Sequence, residues 1–538
     1  MIPVIDLFAG PGGLGEGFSS LSDDKGERIF KIALSIEKDE FAHKTLLLRS
    51  FFRQFPAGKV PNEYYYFLQR KIKDVNILFD LYPDERDAAF AEAWKAELGK
   101  IPDKQVDTRI KDAIGENNNW LLIGGPPCQA YSVVGRSRRK EKILDEKKDA
   151  RVGLYKQYLR ILAVHNPAVF VMENVKGLLS AETKDSPVFS MILKDLADPV
   201  AAYKSEYDSN GNQLNCPGYK IYSLASSPES FDIFGNPDYK HRDYLIYSEK
   251  YGVPQTRHRV ILLGVRRDID IIPDVLNEQR EVPISKVLSG LPKLRSGLSK
   301  SEKKNDAKTW LRIVKQTGNN KIIGEANNSV KKIISQYLKE LTVPHNNIGA
   351  EYIEYKNVNV KHEKDWFLDE KIKGVCNHIS RGHMESDIYR YFFISCFAKV
   401  FGRSPKLEDF PQSLWPAHIN VANAQEGIED AKFVDRFKVQ LWDEPAKTIT
   451  SHISKDGHYY IHPDPVQCRS FTVREAARIQ TFPDNYFFMG PRTAQFIQVG
   501  NAVPPILAFK IAKIIQHLIS EMLIKKQPSM NYILQARE

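Results

Sequence analysis

Cysteine is scarce. The chain has five in 538 residues, Cys128, Cys216, Cys376, Cys396 and Cys468. The set is odd and contains no C-x-x-C pair, which excludes a disulfide framework or a zinc ribbon and points to a reducing, cytoplasmic setting. Long apolar runs are absent as well: nowhere do about 18 consecutive apolar residues occur, so a membrane-spanning protein is not expected. The first residues, MIPVIDLFAGPGG, form neither a basic leader nor an apolar h-region, so secretion is not expected either. Internal repeats and long low-complexity tracts are also missing.

What is present is ordinary globular material. Hydrophobic residues make up 42% of the chain, aromatics 11% and charged residues 27%, enough for a sizeable core and incompatible with wholesale disorder. At a prior of roughly 150 residues per domain, the length excludes a lone small module. Lys and Arg number 77 against 67 acids, a net charge of +10, which favours a polyanionic partner such as nucleic acid without naming it.

Ile2 to Phe8 is a short apolar run that ends in the glycine cluster AGPGGLGEGF, the pattern of a buried strand feeding a tight loop and a helix. Further strands are predicted at Lys31 to Glu37, Asn119 to Gly125, Ala168 to Val175 and Arg259 to Val265, with helical patterns such as YKQYLRILAVH between them. This alternation predicts an α/β fold with a doubly wound, mostly parallel sheet. Residues 51–104 read as a helical insertion without a catalytic grouping. From about 271 to 467 the alternation is lost, as in a second, smaller and irregular domain. Near the end, Leu507, Ile511, Ile514, Leu518 and Met522 recur at helical spacing and predict a helix with its apolar stripe on a core.

Three groupings carry chemistry. Gly10, Gly12 and Gly15 satisfy G-x-G-x-x-G after a strand, and Glu37 closes the next strand, where a carboxylate can accept hydrogen bonds from ribose hydroxyls. Alone, this suits a nicotinamide oxidoreductase equally well. GGPPCQAYS, Gly124 to Ser132, puts Cys128 just past a strand, at the sheet edge where ligands bind, on a backbone stiffened by two prolines. A buried structural thiol is the usual alternative. Glu173 in MENV ends another strand, and Arg257 and Arg259 in QTRHRV lead into a further one. If these strands are neighbours, the three side chains converge near Cys128 and can hold a polar ring by its edge.

Together these motifs resemble the DNA cytosine-5 methyltransferase family. DLFAGPGG is similar to its cofactor motif, GGPPCQAYS to its nucleophile motif, MENV to its glutamate motif, QTRHRV to its arginine motif, and RSFTVREAARIQTFPDNY and QVGNAVPP to its last two blocks. They stand in family order from residue 6 to residue 505. The resemblance implies a Rossmann-like fold that uses S-adenosyl-L-methionine, with Cys128 attacking carbon 6 of a flipped-out cytosine and Glu173 acting at ring nitrogen 3. Arg259 is expected on the cytosine carbonyl oxygen, and Arg257 on the nucleophile or the backbone. For the cofactor it implies Phe8, Gly10, Gly12, Gly13, Glu37, Pro127, Leu154 and Asn501. Asp107, with Asp112 as competitor, is expected at the adenine amino group, although VDTRIKDAI departs from the family's Asp-Ile.

Gln129, Ser132, Arg136, Arg138 and Arg139 are the expected DNA contacts of a loop that closes over the duplex; Arg136 to Arg151 holds eight basic residues against four acids. Residues 281–340 carry a further 13 Lys or Arg against five acids. Cys376, His378 and His383 lack a fourth metal ligand, so family-like packing or DNA contact is expected there, and no metal. The expected organisation is a catalytic domain at 1–270, a target-recognition domain at 271–467, and a segment at 468–538 that returns to the catalytic domain. The implied protein is a monomeric modification enzyme of the bacterial cytoplasm or nucleoid, acting on double-stranded DNA alone or beside a cognate restriction endonuclease. Rival readings are a methyltransferase for cytosine in RNA and a non-catalytic DNA-binding regulator.

Overall fold

The computed structural model describes residues 1–127, 150–181, 187–203, 211, 213–299, 304–416 and 436–526. Its centre is an eight-stranded sheet. The strands are β1 (Ile2–Leu7), β2 (Phe30–Glu37), β3 (Ala93–Lys95), β4 (Leu121–Gly124), β5 (Val169–Val175), β6 (Tyr219–Ser223), β7 (Leu245–Tyr247) and β8 (His258–Arg266). Their order is β3-β2-β1-β4-β5-β8-β6, with β7 also on β8. The five strands β3, β2, β1, β4 and β5 are mutually parallel, and β8 enters antiparallel to β5, with Arg259 opposite Val175 and Ile261 opposite Glu173.

The central strands are apolar on both faces because helices cover both. On one side, α1 (Gly13–Ser19) and the long C-terminal helix share a core with Val4, Ile123, Val171 and Ile261. On the other, α6 (Asp103–Ile114) and α7 (Ala150–His165) bury Val106, Tyr158 and Leu162 against Ile5, Leu122 and Phe170. Between β2 and β3 lie α2 (Glu40–Gln54), α3 (Asn62–Leu68), α4 (Val75–Leu81) and α5 (Pro83–Glu92). The stretch 51–104 is therefore not simply inserted: it contains β3, the edge strand of the sheet. A strand of three residues leaves no periodic signal in the sequence.

Between β5 and β6, α8 (Val188–Ala197) buries Phe189 and Ile192 in the same core as Tyr219 of β6. Past the sheet the chain forms α9 (Ala307–Gln316) and α10 (Asn328–Glu340). A two-stranded ribbon, β9 (Gly349–Glu354) with β10 (Gly374–Ile379), leads to α11 (Glu385–Phe401). Trp310, Ile313, Val330 and Ile334 pack with Tyr391, Phe392 and Phe393 in a helical core separate from the sheet. The chain then returns through α12 (Val473–Ile479) and α13 (Arg492–Asn501) to α14 (Pro505–Lys526). Leu507, Ile511, Ile514, Leu518 and Met522 are all buried, as their spacing predicts. This last helical stretch is long and apolar enough to cross a membrane by length and composition, yet 72% of its apolar window lies buried inside the fold.

Glycines make the seam with the C-terminal helix possible. A Cβ on Gly17 would stand 2.4 Å from Ala508 Cβ, and one on Gly13 would stand 2.3 Å from the Val503 carbonyl oxygen. Only a residue without a side chain allows that approach.

Candidate active site

At the carboxyl end of β1 the chain turns through Phe8, Gly10 and Gly12, which have φ of 56°, 58° and 98°. Phe8 is the costly member, since an aromatic residue adopts the left-handed region only when its surroundings impose it. A Cβ on Gly10 would meet nothing within 4 Å, so this backbone faces open space. Glu37, at the end of β2, folds over the loop: one carboxylate oxygen accepts from the Gly10 amide at 2.8 Å and the other from the Asp39 amide at 2.7 Å. Burial pushes its carboxyl up, opposed by those two amides. Beneath the loop, Asp6 is fully buried with both carboxylate oxygens unpaired among the described residues, and burial pushes its carboxyl up to about 8.

Glu173 and Arg259 converge on the same edge from adjacent antiparallel strands. Arg259 Nε lies 2.9 Å from Glu173 Oε1, and both side chains remain partly exposed. A Cβ on Gly125 would touch Glu173 Oε2 at 3.0 Å, and Asn174 Nδ2 donates to the Pro126 carbonyl at 3.1 Å. The strand that precedes Pro126 and Pro127 is thereby fixed against the glutamate strand. Cys128, Gln129, Ser132, Arg136, Arg138 and Arg139 lie outside the described residues; Pro127, the last before them, is half-buried.

Arg257 does not face this opening. It is 1% exposed and donates to the carbonyls of Ile449 at 2.8 Å and Gly500 at 3.2 Å, and burial, then the neighbouring Arg259, push its guanidinium down. These bonds tie the start of β8 to Ile449 and to the returning segment just before Asn501. Asn501 itself is exposed at the end of α13. Leu154 is buried in the sheet core that also holds Leu98, with Phe8 packed against it.

Asp107 requires a correction. It is 2% exposed on α6 and accepts from Arg160 at 2.7 Å and from His165 at 2.8 Å, both on α7. It is spent on a helix–helix ion pair, and Asp112 is exposed further along the same helix. Glu97 occupies the sheet edge that Asp107 does not. The Ala96 amide bonds the Glu37 carbonyl at 3.0 Å, so the next residue, Glu97, stands at the carboxyl end of β3 beside β2, followed by the buried Leu98. Lys38 reaches Glu97 at 3.3 Å. Ligands of doubly wound sheets bind beyond the carboxyl ends of the strands, which Glu97 satisfies and Asp107 does not.

Cys376, His378 and His383 have separate tasks. Cys376 donates weakly to the Leu68 carbonyl, His378 bridges Thr472 and the Pro292 carbonyl, and His383 meets the Tyr391 ring edge to face. The block from Arg469 to Tyr486 is likewise internal wiring. Arg469 pairs with Glu475 and Arg478 with Asp484, while Arg474 donates to the carbonyls of Cys376, Pro483 and Tyr486.

A glycine loop beneath a carboxylate, on a doubly wound sheet whose facing edge carries a Glu–Arg pair, is the site of an α/β enzyme of the nucleotide-cofactor class. The family model of the C-5 cytosine-specific DNA methylase matches residues 76–208 and 224–517. Type II methyltransferase M.Bpa9945I of Bacillus paralicheniformis is 32% identical over 96% of this chain and 99% of its own length. Type II methyltransferase M.Eco47II of Escherichia coli is 44% identical over 75% of this chain and 64% of its own. Among solved structures, the Entamoeba histolytica methyltransferase aligns over 96% of this chain and 99% of its own, at 13% identity and a TM-score of 0.40. The chain belongs to the C-5 cytosine-specific DNA methylase family: it is a DNA (cytosine-5-)-methyltransferase of the restriction-modification type.

Proposed function

We propose that the protein methylates carbon 5 of a flipped-out cytosine in a specific duplex DNA sequence, using S-adenosyl-L-methionine and a covalent adduct on Cys128. The observation that carries this reading is the Glu173–Arg259 pair, held at 2.9 Å on the edge where β4 ends and Pro126 and Pro127 follow. Cys128, as thiolate, attacks carbon 6. Glu173 hydrogen-bonds or protonates ring nitrogen 3, so that the electrons pushed into the ring gather at carbon 5, and Arg259 holds the carbonyl oxygen. Once carbon 5 carries the methyl group, its proton passes to a solvent base, the 5,6 double bond re-forms and the carbon 6–sulfur bond breaks, returning Cys128 as thiolate. Arg257 acts only through the backbone it holds.

The residues present fit the cofactor. Gly10 leaves open space at a left-handed turn, the Glu37 carboxylate overhangs it, and Asp6 keeps unpaired oxygens beneath it. Phe8, Gly12, Gly13, Glu37, Glu97, Pro127, Leu154 and Asn501 would hold the bound molecule, which supplies an activated methyl group. The proposed organisation keeps 1–270 with 468–538 as the catalytic unit and 271–467 as the recognition unit, its basic stretch at 281–340 meeting phosphates. The enzyme acts as a monomer in the bacterial cytoplasm or nucleoid, alone or beside a cognate endonuclease.

The test is transfer of tritiated methyl to DNA and, in parallel, to tRNA. DNA labelling by the unaltered enzyme that disappears in Cys128→Ala, with cofactor binding retained, is the expected result. Labelling of tRNA in place of DNA, or full activity of the variant, overturns the reading.

A further inference from the structure

The helices between β2 and β3 reach across the molecule. Lys371 donates to the carbonyls of Gly58 at 3.0 Å and Val60 at 3.2 Å, and Gln69 donates to the Ile372 carbonyl at 3.2 Å. Ile372, Cys376 and Phe487 are buried with Phe51, Tyr64, Phe67 and Leu68 in one apolar core. At its rim a polar chain runs through five segments. Tyr65 of α3 donates to Asp369 Oδ2 at 2.7 Å, and Asn485 Nδ2 donates to the same oxygen at 2.8 Å. Asn485 Oδ1 accepts from Arg49 Nη1 of α2 at 3.0 Å, and Arg49 grips Glu16, in the helix that the glycine loop opens, through two nitrogens. Tyr486, next in sequence, donates to the Pro11 carbonyl within the loop itself.

Burial alone would raise the Glu16 carboxyl, but Arg49 holds it down, so the grip on the loop helix is ionic. The other Asp369 oxygen accepts from the Lys371 amide at 3.1 Å. Every polar atom of the Asp369 carboxylate is thus directed by α3, by the Asn485 turn or by its own turn. Tyr65 lies 304 and Asn485 116 positions away in sequence, so these bonds fix how the 349–379 ribbon sits on the glycine loop.

We infer that Asp369 is a positioning residue for methyl transfer: through Asn485 and Arg49 it sets the register between the ribbon of the recognition segment and the cofactor loop. The inference deepens the proposed function and rests on the reading of 271–467 as the recognition unit. Its consequence is specific. Reacting groups held by two separate segments must meet within a fraction of an ångström, and a small misplacement costs on the order of 100-fold in rate. Loosening the Asp369 link therefore lowers turnover at the proper site more than at incorrect ones.

The test is a donor–acceptor swap. Asn485→Asp sets two carboxylates against each other where an amide donated. Asp369→Asn in the same chain returns a donor: its amide nitrogen faces the carboxylate introduced at position 485 and the Tyr65 hydroxyl oxygen, and its carbonyl still accepts from the Lys371 amide. Full-length variants are assayed on unmethylated plasmid DNA, with cytosine-conversion sequencing to score methylation at the wild-type site and elsewhere, and with cofactor affinity and thermal melting measured alongside. Asn485→Asp is expected to lose at least about 10-fold in kcat at the wild-type site and to raise the off-site fraction, with cofactor affinity within about 2-fold of wild type. The double variant is expected to recover both. A single variant with unchanged kcat and site fidelity overturns the inference, as does a double variant that regains melting temperature without regaining fidelity. Wild-type enzyme that shows no site preference overturns the recognition reading instead.

Discussion

Glu173 and Arg259 meet at 2.9 Å because β8 runs antiparallel to β5, so that the start of one strand lies opposite the end of the other. A parallel β8 would send Arg259 to the far edge of the sheet. Glu173→Gln keeps the shape but removes the ionisable proton and the charge opposite Arg259. A general acid contributes about 100- to 10,000-fold, so single-turnover methyl transfer is expected to slow within that range. An unchanged rate removes the proposed role at ring nitrogen 3. Arg259→Lys is expected to fail as well, since an ammonium cannot reproduce the planar guanidinium.

Arg257 differs from Arg259 in what its loss should change. Its guanidinium satisfies the buried carbonyls of Ile449 and Gly500. Arg257→Met leaves both unpaired, at about 1–3 kcal/mol for each buried group left unsatisfied. Urea unfolding should shift to lower midpoint. Wild-type stability with a lost kcat would instead place Arg257 on the substrate.

Buried titratable groups predict a bell-shaped stability profile. Burial pushes His378 and His462 down to about 4 from an ordinary 6.5. Between those values the unfolded chain binds protons that the folded one refuses, so their contribution is complete above pH 6.5 and lost as pH falls toward 4. Asp6 acts oppositely: with its carboxyl pushed up to about 8 from 3.8, the folded state holds the extra proton, and stability is lost as pH rises through that window. The two histidines outnumber the carboxyl on the acid side, and Asp6 alone of the three acts above 6.5. Denaturant midpoints from pH 4 to 9 should therefore rise and then fall. Asp6→Asn should remove the decline between pH 6.5 and 8, and an unaltered decline would refute the assignment.

Gly17→Ala tests the helix seam. The new methyl would lie 2.4 Å from Ala508 Cβ and 2.5 Å from the Phe509 amide nitrogen, so α14 must shift off α1. Overpacking of this kind costs about 1–3 kcal/mol. A lower melting temperature is expected, with weaker cofactor binding because α1 carries the glycine loop; wild-type values for both would refute a tight seam.

Signals local in sequence determined much of this protein. Apolar runs punctuated by glycine and acid marked β1, β2, β4, β5 and the body of β8. Helical spacing marked the buried stripe of α14, and the motif order around Cys128, Glu173 and Arg259 named the family that the comparisons then supported. Contacts between distant segments were settled only by the tertiary structure. β3 is too short for a periodic pattern, so the sheet edge at Glu97 carries no sequence signal, while Asp107 is held by Arg160 and His165. Arg257 and Arg259 look alike in QTRHRV, yet one turns inward to two carbonyls and the other outward to Glu173. The helices after Phe51 are tied to a segment 304 positions away, where the Tyr65 hydroxyl donates to Asp369. Hydrophobic periodicity is written into neighbouring residues, whereas the partner of a polar side chain depends on which distant segment folds against it.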